Sequence, residues 1–191
     1  MLSSILFAIL LAVAILLFAR RIQFVRKAIA LGRTADYSDQ PAKRWSVMAR
    51  VALGQGKMTA RPVAGIMHIL IYIGFVTINI EMLEIVIDGL TGNHRIFHGI
   101  PGYDGFIAAF ELLAFAVLFA CLVFLFRRNV MAIQRFRSKE LKGWPSLDAN
   151  LILIAEVALM FAFLSMNATD AMLQNLNTPG YHEAGAFPIS Q

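Results

Sequence analysis

A single cysteine, Cys121, is all the thiol chemistry in this sequence. One thiol excludes an internal disulfide and cannot supply the thiolate set of an iron-sulfur cluster or a zinc ion, so any such centre belongs on another polypeptide. A phosphate-binding glycine loop, a nucleophile motif, an internal repeat and a low-complexity tract are also missing. Charge is absent from long stretches, beginning with Leu2 to Ala19. No basic residue precedes that run and no small-residue cleavage site follows it. It therefore reads as a retained first helix and not as a signal peptide.

Apolar residues fill these gaps, making up 59% of the 191 positions and gathering into blocks. The blocks run from about 2–19, 63–90, 105–126 and 151–173, each near the ~20 residues that a ~30 Å hydrocarbon core requires. The expected fold is an all-α integral membrane protein, a bundle of four transmembrane helices. The 17 Lys and Arg residues give a net charge of +5, but their placement argues against a nucleic-acid surface. All except Arg95 lie in the loops 20–62 and 127–150. The positive-inside rule puts both loops in the cytoplasm and both termini outside, as in a multi-pass protein of a bacterial inner membrane.

Within the first basic loop, "RRIQFVRKAIALG" extends the first helix beyond the membrane, with Gly32 as its stop. The next stretch, "AKRWSVMARVALGQGK", interleaves Trp45, Val47, Met48, Val51 and Leu53 with cations, the pattern of an interfacial amphipathic helix ending at Gly54. It serves lipid anchoring, partner docking, or both. The outer loop "TGNHRIFHGIPGYDG" and the tail "NLNTPGYHEAGAFPISQ" read as turn regions.

The polar residues inside the apolar blocks are the functional candidates, because an intramembrane ionisable group costs at least ~2.5 kcal/mol. From the ~1.5 Å rise per residue, His68 lies roughly 6 Å below the inner face, while Glu81 and Glu84 lie roughly 26 and 30 Å along, near the outer one. Tyr72, Phe75, Asn79 and Met82 fall within about 40° of His68, whereas Glu81 is about 140° away. The imidazole and the carboxylates therefore form two sites. His68 is either a core histidine bonded to a neighbour such as Glu156, or an axial ligand of a b-type haem, with Tyr72 and Phe75 beside the macrocycle and Arg61 at a propionate. Glu81, Glu84 and Asp88 share a stripe that Glu111 could approach. They either reach into water at the interface or form a proton-accepting or quinol site, with His94 or Asn79 bonding a ring oxygen. Bis-histidine ligation at His68 cannot be completed within this chain, since His94, His98 and His182 all fall on the outer side.

The stretch "ALGQGKMTARPVAGIMHILIYIGFVTINIEMLEIVIDGLTGNHRIF" resembles the membrane-embedded N-terminal region of bacterial (Fe-S)-binding oxidoreductases related to heterodisulfide reductase. That region is similar in turn to the cytochrome b, or gamma, subunit of respiratory nitrate reductase. The resemblance is strongest from Leu53 to Phe97, and beyond it rests on helix order and character. It implies one transmembrane cytochrome b-like domain over residues 1–191. It further implies that His68, the histidine of the pattern "H...Y.GF...N.E", ligates haem b. It also implies electron transport between the quinone pool, menaquinone or ubiquinone, and a cytoplasmic domain or partner with two [4Fe-4S] clusters and a CCG region. Two departures qualify this. Gamma subunits carry a second histidine a few turns on, where this chain has Ile78 and Met82. The cluster cysteines are absent too, so the resemblance implies that these residues are part of a longer protein. Two alternatives stay open: a cofactor-free membrane anchor or assembly subunit of a respiratory complex, and a proton-conducting subunit using Glu81, Glu84, Glu111 and Glu156.

Overall fold

The computed structural model describes residues 2–33, 36, 38–54, 62–131, 133, 143–179, 181 and 185–190. It is all-helical over these residues. Five α-helices follow in order: α1 (Leu2–Ala30), α2 (Pro41–Met48), α3 (Pro62–Thr91), α4 (Tyr103–Asn129) and α5 (Trp144–Asn175), with a π-helical turn, Ala49–Leu53, continuing α2. Four of them, all but α2, are long and apolar enough to cross a membrane, so the chain is a multi-pass membrane protein.

Each long helix overshoots the apolar block that predicted it, for local reasons. α1 runs on through its arginines to Ala30, and the Gly32 amide closes the end onto the Ile29 carbonyl at 3.0 Å. α4 keeps Arg127 and Arg128 in its last turn, where cations meet the negative end of the helix dipole. α5 starts at Trp144, inside the stretch assigned to the loop 127–150, because Pro145 in its first turn fixes a helical φ and loses no needed donor. The helix expected here forms as α2, and its π-helical continuation ends at Gly54, whose amide reaches back to Ala49 at 2.7 Å.

Packing is sequential: α1 lies against α3, α3 against α4, and α4 against α5. The core is centred on α4, where Ile107, Phe110, Ala114, Val117 and Cys121 meet Ile78 of α3 and Met160, Phe163 and Ala171 of α5. Small residues bring the backbones close, as expected where lipid gives no hydrophobic drive to helix association. A Cβ at Gly74 would collide with Cγ2 of Val117. Likewise Phe7 of α1 lies over Gly89, where a Cβ would come within 2.7 Å of its ring. No residue of α1 is buried, so this contact near its start is its main tether.

The bundle has two unlike ends. One carries the basic loops. At the other, the α3–α4 loop and residues 185–190 of the tail fold over Glu81, Glu84, Asp88, Glu111 and Asp170, and this is the acidic end.

Candidate functional site

The acidic end is organised by α3's own carboxylates. Gly92, with φ 76°, ends the helix, and Arg95 adopts φ 53° in the return. Asp88 accepts the Arg95 amide at 2.7 Å and the Ile96 amide at 3.2 Å, while Glu84 Oε1 accepts the Phe97 amide at 2.9 Å. These bonds fold the loop back onto the end of α3 and drive the Arg95 side chain inward, leaving it 3% exposed.

The guanidinium then satisfies partners on two helices, α3 and α5. Nη1 donates to Glu81 Oε1 at 2.6 Å and lies 4.0 Å from Glu84 Oε2. Nε and Nη2 donate to Asp170 Oδ2 at 3.1 and 2.9 Å, a forked pair, and Nη2 also reaches Asn167 Oδ1 at 2.9 Å. The Phe187 ring of the tail lies 6.0 Å from the guanidinium carbon. Burial pulls the Arg95 pKa down, but the hydrogen bond and ion pair with Glu81 outweigh it and hold the group charged. Around this hub, the Tyr103 hydroxyl donates to Glu84 Oε2 at 2.6 Å, and the Tyr181 hydroxyl donates to Asp170 Oδ1 at 2.5 Å. Burial and that bond both push the Tyr181 phenol up, so it stays protonated and donating. His94 Nε2, on a half-exposed ring, pairs with Asp170 Oδ1 at 2.8 Å. That hydrogen bond raises the imidazole pKa against the opposing effect of burial.

Three carboxylates thus face one permanent cation, with His94 as a second when protonated. Glu81 Oε2, Glu111 Oε1 and Asn167 Nδ2 are buried without a hydrogen-bond partner. Such a cluster can hold and exchange protons. Two cavities adjoin it. One, of about 410 Å³, is lined by Ser4 and Phe7 of α1, Glu84 and Asp88 of α3, His94 and Met166. The other, of about 240 Å³ and mostly apolar, brings Glu81 against Phe97, Tyr103, Phe106 and Phe110.

Among the sequence-predicted residues, Glu81, Glu84 and His94 meet here, and the first two are 2% and 3% exposed instead of reaching into water. Glu111 lies at the same end, fully buried, with Oε2 accepting the Ile189 amide at 2.9 Å. Asn79 stands apart, exposed and bonded to its own helix at the Phe75 carbonyl, 2.5 Å away. Arg95, Asn167, Asp170, Tyr103, Tyr181 and the tail were not anticipated. Two signals existed: Arg95 is the sole cation outside the two basic loops, and Asn167 and Asp170 form an i, i+3 polar pair in an apolar helix.

His68 lies toward the basic end of α3. It is half-buried, and Nδ1 is buried with no hydrogen-bond partner, so this nitrogen does not make the bond expected of a satisfied core histidine. Buried Gly65 lies one turn before it. On the same stripe Tyr72 is half-buried, while Phe75 is 60% exposed and Asn79 is exposed, so this face turns away from the α3–α4 contact. Glu156 is half-buried on α5. Arg61 and His182 lie outside the described residues. Among the described residues no cluster of His, Cys, Asp or Glu is placed to hold a metal ion by itself.

No family model and no solved structure matches the chain. It is similar to a protein of Bacillus subtilis (strain 168) named a probable iron-sulfur-binding oxidoreductase, FadF, with 26% identity over 165 residues. The match covers 86% of this chain and 22% of that protein, so the chain spans about a fifth of the relative's length.

Proposed function

We propose that this chain is the membrane electron-transfer module of an iron-sulfur oxidoreductase, joining the quinone pool to clusters carried by a cytoplasmic domain or partner. The observation that carries it is His68, an imidazole within a spanning helix whose buried Nδ1 has no protein partner. The similarity to an iron-sulfur-binding oxidoreductase supports the same reading, and the lone Cys121 leaves the clusters to another part of the assembly.

His68, with its unpartnered Nδ1, is the residue that would hold a haem b. Gly65 leaves the helix surface low beside the imidazole, and Tyr72 and Phe75 offer flat rings on its stripe. Because that stripe turns away from the α3–α4 contact, the rest of the group's surroundings would come from outside this bundle. A haem supplies one-electron carriage; His68 fixes its position and the local polarity tunes it. At the acidic end, Glu81, Glu84 and His94 line cavities open to a membrane-soluble quinol. Glu81 Oε2 is the free acceptor for its proton, and the His94–Asp170 pair connects the cluster to solvent. Glu111 stands behind them, and Asn79 has no part in this site. The basic loops lie on the cytoplasmic side of a bacterial inner membrane.

A dithionite-reduced minus oxidised spectrum of the purified chain should show a b-type α band that His68→Ala removes. No band, or a band indifferent to His68→Ala, contradicts the assignment. The buried unpartnered oxygens of Glu81 and Glu111 favour a second reading, a proton-conducting subunit. In that case proton uptake by proteoliposomes falls in Glu81→Gln without any haem band being present.

A further inference from the structure

α2 and its π-turn sit apart from the bundle. Every residue from Pro41 to Leu53 is exposed, among them Trp45, Val47, Met48, Val51 and Leu53. Five large apolar side chains exposed on one short segment are unusual, and the π-turn determines where they point. At ~100° per residue throughout, the five would spread over roughly 240° of the helix circumference. A turn closed i to i+5 advances roughly 82° per residue, which brings Leu53 round to Trp45 and narrows the spread to about 175°. The bond that closes it is observed, Gly54 N to Ala49 O at 2.7 Å. Lys43, Ser46 and Arg50 then share the opposite face, and Arg44, paired with Asp39 at 3.1 Å, rises from the apolar one. Here the π-turn completes an amphipathic surface.

Beyond Asp39 the charge has one sign. From Gln40 to Ile80 the sequence has no Asp or Glu, while Lys43, Arg44, Arg50, Lys57 and Arg61 fall within it. The segment is also tethered on both sides to spanning helices: Ala30 ends α1, and Pro62 begins α3. A helix tied at both ends to membrane spans is held at the headgroup level of the basic end. We propose that α2 with its π-turn lies in the plane of the bilayer surface, its apolar face in the acyl boundary and Lys43, Arg44 and Arg50 bound to the phosphates of anionic phospholipid. Each such cation contributes ~1 kcal/mol of attraction to an anionic surface, and the attraction is screened within a Debye length.

The test uses the full chain in nanodiscs, with Trp144→Phe leaving Trp45 as the one indole. Brominated lipid reports whether that indole enters the acyl boundary. With phosphatidylglycerol present, quenching of Trp45 should exceed that in pure phosphatidylcholine by about twofold or more. High salt, or the triple change Lys43→Gln, Arg44→Gln and Arg50→Gln, should abolish the difference. Leu53→Asp should reduce quenching in both lipids, with helix content unchanged by circular dichroism. Equal quenching in the two lipids overturns the role of anionic headgroups. No quenching in either overturns the surface placement and leaves the face to a soluble acidic partner.

Discussion

Arg95 is the residue on which the acidic end depends. Its guanidinium is 3% exposed and joins Glu81 of α3 to Asp170 and Asn167 of α5. Removing one member of a buried ion pair leaves its partner charged and unsolvated, which costs about 3–5 kcal/mol. Arg95→Gln should destabilise the bundle by that amount, and Arg95→Lys should recover only part, since an ammonium cannot reproduce the fork on Asp170. Cys121, 1% exposed, reports this directly: its alkylation in detergent should accelerate strongly in Arg95→Gln and modestly in Arg95→Lys. Unchanged alkylation in both would mean that the cluster does not hold the helices together.

His94 adds a pH dependence whose sign follows from its shift. Its pKa is raised in the folded state by Asp170. The stabilisation is therefore fully present below the unfolded imidazole value of ~6.5 and is lost as pH rises through the higher folded value. Melting temperature in detergent should decline over that window, and His94→Gln should flatten the decline. An undiminished slope in His94→Gln would place the titration elsewhere.

At the scale of elements, α3 is the helix that carries both sites, and Gly74 sets its distance from α4. The Cβ position there is taken by Val117, so even Gly74→Ala forces the helices apart, at about 1–3 kcal/mol. Paired with Val117→Ala it should regain much of that loss, measured by the same Cys121 protection. Failure of the pair to compensate would show that the close approach is not the cause. The helices themselves were legible in the sequence because hydrophobic length is a local property. The run of α1 through its arginines to a stop at Gly32 was legible too, whereas the end of α4 and the start of α5 were not, since Arg127 and Arg128 in one and Pro145 in the other extend them beyond the apolar blocks. The separation of His68 from Glu81 was legible as well, being a matter of helical rise and angle within one helix. What the sequence did not disclose was long-range: Asp170 lies 75 residues from the Arg95 it binds, and the Ile189 amide lies 78 from Glu111. Such pairings depend on how the loop and tail fold over the bundle end, which no local pattern encodes.

For the whole molecule, His68 and the acidic cluster lie toward opposite ends of one helix, an arrangement compatible with the proposed passage of electrons between two sites. At the acidic end, buried carboxylates adjoin two cavities, the place where the proposed quinol would lose its protons. Toward the basic end, half-buried His68 has a buried Nδ1 without a hydrogen-bond partner. The similarity to an iron-sulfur-binding oxidoreductase covers nearly the whole chain but about a fifth of that relative, and this fits a membrane module working with a larger redox partner. The most direct test is to reduce the chain in proteoliposomes with a quinol in place of dithionite, following the visible spectrum. The account predicts a b-type α band on quinol addition, slower to appear in Glu81→Gln and absent in His68→Ala. A chain that shows no band with either reductant, or one that quinol cannot reduce, would contradict it.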